Sequence, residues 1–252
     1  MTIPYSNEVP TGETEGWRSS MGIPRRTSLA NVTRTGWDMI LTFPPFAPIF
    51  SSPKPLVENL NLGNGSIVLD YSNLTSGAIY FECSFSNIPN NTYSQGTLNF
   101  TFFSSKTQES VSGGFFFGGD NNFWLSRQKV QGFGETNPFF TDKFSVGNPI
   151  NSNGTFSLEG VIDRSILEVS LDGGRNSGTM TFFPQGELDT MVLTTDGLNE
   201  GVVVSCVVEG LNSTWTNQAS KDGIVYGNVT VQPPEGSNST QAIRRDKLIH
   251  LY

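Results

Sequence analysis

TFSLEGVIDRSILEVSLD, residues Thr155–Asp172, decides the fold. Phe156, Leu158 and Ile162 alternate with Ser157, Glu159 and Asp163, and Val161 is the one apolar residue out of step. Leu167, Val169 and Leu171 then alternate with Glu168, Ser170 and Asp172. A period of two is the signature of a strand with one buried face. Asp163-Arg164-Ser165 lies between the two runs and supplies turn chemistry. Gly173-Gly174 ends the second strand, and Thr179–Phe183 starts a third. The result is a β-meander whose apolar stripe needs a second sheet to cover it. The pattern predicts Leu167, Val169 and Leu171 buried, with Glu168 and Ser170 facing out.

The same alternation recurs on both sides of the hairpin. Ile67, Leu69 and Tyr71 alternate in SIVLDY. Further strands are predicted at Ala78–Phe85, Gly96–Phe103, Gly113–Phe117, Asn122–Arg127, Leu188–Thr195, Gly201–Val208 and Ile224–Val231. Turn signals such as Gly118-Gly119-Asp120 and Asp196-Gly197 fall between them. Short strands at this spacing, without helical periodicity, predict an all-β chain folded as a two-sheet antiparallel sandwich. Phe is the dominant aromatic, at 19 residues, and its rings suit the gap between two sheets. The sandwich is expected over 56–232. FPPFAP (Phe43–Pro48) places closely spaced prolines in a connector over 27–55, where Trp37, Met39, Ile40 and Leu41 offer one short strand or a packing anchor. A polar, charged stretch over 233–252 reads as a flexible tail.

Charged residues are 15% of the 252, and the formal net charge is −8. That balance argues against nucleic acid and anionic membrane surfaces as partners. No apolar run approaches the roughly 20 residues that span a bilayer as a helix. MTIPYSNEVP has no basic region and no apolar core, so it does not read as a signal peptide. His250 is the single histidine, which leaves Ser–His–Asp and Cys–His constellations without a base in the sandwich. No His/Cys group has metal-ligand spacing, and SGGFFFGGD (Ser112–Asp120) lacks the GK[ST] of a phosphate loop. No cofactor is expected.

Cys83 shares a stripe with Ile79, Phe81 and Phe85, and Cys206 shares parity with Val202, Val204 and Val208. Both should point inward, as two buried thiols or as a disulfide between sheets. N-x-S/T acceptor sequences begin at Asn31, Asn64, Asn73, Asn90, Asn99, Asn153, Asn212, Asn228 and Asn238. Nine together favour a secreted ancestry. In TLNFTFF, alternation puts Asn99 on the solvent side of a strand.

Asp163, Ser165 and Glu168 complete a D-x-S-x-x-E pattern. VIDRSILEVSLDGG resembles the hairpin that carries this pattern in the C-terminal β-sandwich of glycoside hydrolase family 32, the family of invertases and inulinases. Two stretches in the right order add to the likeness. GWRSSMGIPRR (Gly16–Arg26) resembles the strand that closes the family's propeller, and NPFFTDKFSV (Asn137–Val146) resembles the segment before the hairpin in fungal members. The resemblance implies a concanavalin-like sandwich preceded by a propeller-blade remnant over 1–26. It implies a parent activity of β-fructofuranosidic bond hydrolysis, an extracellular location and a catalytic propeller as partner. Asp163, Ser165 and Glu168 would then brace the sandwich against the propeller, or simply stabilise the turn.

The family's catalytic carboxylates lie in N-D-P-N and E-C-P motifs with a supporting R-D-P, all within the propeller. None occurs here, so this chain is expected to be inactive alone. Glu82-Cys83-Ser84 approaches E-C-P, but Ser84 replaces the proline in mid-strand, and a solvent-facing Glu beside a buried Cys is expected. Trp124 and Trp215 leave open a lectin-like module that binds carbohydrate. Trp17, Met21 and Ile23, on a strand without its blade, predict a sticky edge and a homo-oligomer, unless the remnant folds back over the sandwich.

Overall fold

The computed structural model describes residues 2–3, 20–32, 36–89, 94–130, 143–212 and 229–232. In chain order its strands are β1 (Thr2–Ile3), β2 (Ser20–Met21), β3 (Arg26–Val32), β4 (Gly36–Thr42), β5 (Val57–Asn59), β6 (Gly65–Asp70), β7 (Ala78–Ser86), β8 (Thr97–Phe103) and β9 (Ser110–Phe116). They continue as β10 (Asn122–Lys129), β11 (Lys143–Gly147), β12 (Phe156–Asp163), β13 (Ile166–Leu171), β14 (Asn176–Thr181), β15 (Thr190–Asp196), β16 (Val203–Leu211) and β17 (Val229–Gln232). Seven strands form one sheet in the order β11-β10-β9-β8-β15-β6-β17. Six form the other, β14-β13-β12-β7-β16-β5, while β1 pairs with β2 and β3 with β4. Neighbours run antiparallel throughout. The strand predicted over Ile224–Val231 is Val229–Gln232 within the described residues.

Each sheet turns one residue in two towards the other, and aromatic side chains fill the space between. Phe81 of β7 meets Phe100 of β8 at 5.1 Å between centroids, and Phe115 of β9 stacks on Phe156 of β12 at 4.1 Å. Phe81, Phe100, Phe115 and Phe156 are all buried. Each buried ring removes enough apolar surface from water to contribute roughly 1.5–3 kcal/mol. Gly160 occupies the inward position on β12 directly opposite Phe81. A Cβ there would strike the Phe81 ring, so the missing side chain is what makes room for it.

Cys83 and Cys206 both point into this core and are joined as a disulfide. They are cross-strand neighbours on β7 and β16, with Cα atoms 4.2 Å apart. That is the spacing of a non-hydrogen-bonded antiparallel pair. The bond therefore lies within one sheet and not between the two; parity showed the direction of the side chains but not which strands are adjacent.

Leu167, Val169 and Leu171 are fully buried, as the alternation requires. Glu168 and Ser170 take the opposite face, but they are also buried, at 3% and 0% exposure. The outward expectation fails at Glu168 because this part of the outer face is itself covered, by the segment that carries Ile23 and Arg25. The connector holds a complete hairpin, β3–β4, instead of one short strand. Leu41 N of β4 donates to Gly174 O at the end of the β13–β14 turn, at 2.9 Å, which seats the hairpin on that edge.

Candidate functional site

The hairpin motif Asp163, Ser165 and Glu168 lies at this covered part of the six-stranded sheet. The β12–β13 turn closes at the pair Asp163–Ile166, with Arg164 in the left-handed region at φ +51°. Ser165 accepts a bond through its carbonyl from Phe182 N at 3.0 Å, tying the turn to the end of β14. Glu168 does more. Its Oε1 accepts from Ile23 N at 2.6 Å, and its Oε2 pairs with Arg25 Nη2 at 3.0 Å. Both side chains of the ion pair are largely shielded, at 12% and 4% exposure. A Cβ on Gly22 would approach Glu168 Oε1 to 3.2 Å, so bare backbone lets the segment lie close. The Arg25 guanidinium also sits 4.2 Å above the Phe43 ring. One carboxylate thus holds a backbone amide and a cation from a segment more than 140 residues earlier, with charge-assisted bonds on both oxygens.

Beside this clamp lies a second, smaller apolar cluster. Phe46, Ala78, Tyr80, Val161 and Leu211 are buried together, with Ile23, Phe43 and Phe50 packed at the margin. Phe46 meets Tyr80 at 5.1 Å between centroids. Ser51 N donates to Gly210 O and Asn212 N to Ile49 O, both at 2.8 Å, fixing the proline-rich strap along β16. Val161, the residue out of step in the sequence, is apolar because it faces this strap. Ile23, expected on an open edge, is packed against the sandwich, while Ser20–Met21 pairs with Thr2–Ile3. Trp17 lies outside the described residues.

Beyond the strap the outer face becomes polar. Glu82 and Glu159 are directly opposite on β7 and β12. Tyr80 Oη lies 3.0 Å from Glu82 Oε2 and 3.5 Å from Glu159 Oε2. Burial, then the Glu82 charge, raises the Glu159 carboxyl above the usual glutamate range, while Tyr80 and Arg25 act the other way. Burial and the two carboxylates likewise raise the Tyr80 phenol. A carboxylate pair exists here, but the adjoining cavity is lined one row further along, by Ser84, Ser157 and Ser205 and not by Glu82 or Glu159. Glu82 is half-buried, where a solvent-facing side chain was expected.

The open groove holds about 400 Å³. Ser157, Ser84 and Ser205 form its floor at matched positions on three adjacent strands. Asp172 stands at one side, accepting from Asn148 Nδ2 at 2.7 Å and from Ser157 N at 3.0 Å. Burial raises its carboxyl as the largest effect, against those hydrogen bonds and Arg175.

The sequons divide by environment. Asn31, Asn73, Asn153 and Asn212 are exposed, whereas Asn64 and Asn99 are half-buried. Asn64 exchanges bonds with the Leu198 backbone, accepting at 2.9 Å and donating at 3.4 Å. Asn99 does take the outer side of β8, but its Nδ2 donates to Thr97 Oγ1 at 3.2 Å, and it closes on Gly114 beside Trp124. Asn90, Asn228 and Asn238 lie outside the described residues, as do Trp215 and His250. Trp124 is half-buried on the outer side of β10, with Lys143 Nζ 5.6 Å from its ring centroid. Nothing in the sequence alone marks Arg25, Tyr80, Glu159 or Asp172 as site residues. Glu159 shares outward parity with Glu82, but only the strand register brings the two together.

A family model described as "Glycosyl hydrolases family 32 C terminal" matches residues 52–209. An invertase of Kluyveromyces lactis is 30% identical over 191 residues, covering 71% of this chain and 30% of its own length. An extracellular exo-inulinase of Meyerozyma guilliermondii is 29% identical over 192 residues, covering 72% and 35%. Among solved structures, exo-inulinase from Aspergillus awamori superposes with a TM-score of 0.63 at 21% identity, over 79% of this chain and 37% of that one. β-Fructofuranosidase from Schwanniomyces occidentalis gives 0.63 at 20% identity, over 78% and 41%. The chain spans about a third of the length of the curated relatives it matches.

Proposed function

The chain belongs to glycoside hydrolase family 32, of which it is the C-terminal domain, and on that premise we propose that it serves as the sandwich half of a secreted β-fructofuranosidase acting on sucrose or fructans. Its relatives are an invertase and an extracellular exo-inulinase, which supports both the substrate class and the extracellular setting. The catalytic carboxylates belong to a partner propeller domain, and this chain alone does not release fructose.

The observation that carries this reading is the Glu168 clamp. It fixes Gly22–Arg25, the segment that resembles the end of the propeller, onto the sandwich. A domain on the N-terminal side of that segment is thereby held against the β3–β4 edge. The β3–β4 hairpin offers an apolar face there, with Leu29 70%, Trp37 72% and Met39 53% exposed. Leu29 and Met39 are direct cross-strand partners, so they present one surface. We assign this face to the propeller.

Complementation tests the assignment. The propeller of the Kluyveromyces lactis invertase, supplied as a separate polypeptide, should hydrolyse sucrose faster with this chain than without it. Trp37→Asp should abolish the gain while leaving the sandwich folded. Equal rates with and without the chain would refute the assignment.

A further inference from the structure

Asn153 and the groove beside it have no part in that function. Asn153 stands in an exposed turn between Asn151 and Thr155, both of which line the groove. Gly154, at φ +70°, closes the turn, and its N–H and C=O are fixed to Asn151 O and Ile88 N at 2.9 Å each. Asn153 Oδ1 accepts from Thr155 Oγ1 at 2.7 Å and from Thr155 N at 3.3 Å. Asn153 is exposed, and its Nδ2 group makes no hydrogen bond among the described residues. An exposed acceptor sequence, with its Oδ1 tied to Thr155, thus stands at the rim of the cavity.

The cavity is lined mainly by apolar surface, including Phe85, Phe156 and Val203, with a few hydroxyl and carboxylate groups set into it, a mixture that suits one face and the hydroxyls of a sugar ring. The hydroxyls of Ser84, Ser157 and Ser205 both donate and accept, and Asp172 accepts. Val203, 39% exposed, gives one apolar wall for a ring face or an acetyl methyl. At about 400 Å³ the cavity falls in the lower part of the range of small-molecule sites. A glycan tethered at the rim is confined near the cavity at high effective concentration, so weak contacts are enough to seat it.

We propose that Asn153 carries an N-linked oligosaccharide whose first residues lie in this groove. In the modification, Asn153 Nδ2 loses a proton and bonds to C1 of an N-acetylglucosamine delivered as a lipid-linked pyrophosphate oligosaccharide. The C1–O bond breaks, and the lipid pyrophosphate leaves with the electron pair. The proposal rests on the reading that the chain is secreted. Asn64 and Asn99 are excluded as acceptors in the folded protein, because the first is spent on Leu198 and the second is enclosed between Thr97 and Gly114.

The test is glycopeptide mapping of the full chain secreted from yeast, followed by timed release by peptide-N-glycosidase from the native protein. Asn73, in an exposed turn away from the groove lining, is the internal reference. Occupancy is expected at Asn153 and Asn73 and absent at Asn64 and Asn99. Release from Asn153 should be several-fold slower than from Asn73, and Ser205→Trp, which fills the groove, should remove the difference. If Ser205→Trp does not fold, the wild-type comparison of the two sites still decides. A glycan at Asn73 but none at Asn153 overturns the proposal alone, as does equal release from both. No glycan at any acceptor overturns it together with the secreted reading.

Discussion

Glu168 of β13 and Arg25 of the N-terminal segment are joined at 3.0 Å although 143 residues separate them. Ile23 N, at 2.6 Å, completes the clamp on the other carboxylate oxygen. Replacing Glu168 by Ala leaves a shielded guanidinium and a backbone amide without their acceptor. A loss of roughly 1.5–3 kcal/mol is expected in urea unfolding, the range for hydrogen bonds to charged groups. Limited proteolysis should then cut first near Gly22–Arg26. An unchanged midpoint and unchanged cleavage would show that the clamp is incidental.

Glu159 makes stability depend on pH in a defined direction. Its carboxyl is raised in the folded state, so the native chain binds more protons than the unfolded one, and this group's contribution falls as pH rises from the ordinary glutamate value of about 4.3. Glu159→Gln should therefore stabilise the protein at pH 7, by less than about 1 kcal/mol given its partial exposure, and change little near pH 4. A larger gain at pH 4 than at pH 7 would reverse the assignment.

The Cys83–Cys206 bond closes a loop with a sequence separation of 123. Restricting so long a loop in the unfolded chain predicts that Cys83→Ala with Cys206→Ala costs about 2–4 kcal/mol. Chemical unfolding with and without reductant should show the same loss in the parent protein. Reductant should have no effect on the double variant.

Gly160→Ala tests the packing of Phe81. Pushing that ring from its place should cost about 1–3 kcal/mol, the usual range for overpacking. Pairing it with Phe81→Leu should recover part of the loss, and independent effects of the two changes would mean that they do not share space.

The strands and the inward stripe were legible because each inward face repeats with period two, as Leu167, Val169 and Leu171 do. What lay on the other face was not. Glu168 reads as a solvent residue in any strand pattern, and its burial depends on Arg25 and Ile23, which no local period connects to it. Val161 was the trace of that second layer, a lone apolar residue with the wrong parity whose partner Phe46 sits in a proline-rich connector. The disulfide shows the same limit: parity turned both cysteines inward, whereas their adjacency depends on β16 pairing with β7. The clamp residue Glu168 was found through its motif, while the Glu82–Glu159 pair needed the register of β7 against β12.

Fructose release from sucrose and inulin by this chain alone, against the chain combined with a family propeller, tests the central claim most directly. The account predicts no release above a protein-free control for the chain alone and measurable hydrolysis for the combination. Release by the isolated chain that disappears on Glu82→Gln or Glu159→Gln would contradict it, because the sandwich would then carry a catalytic pair of its own.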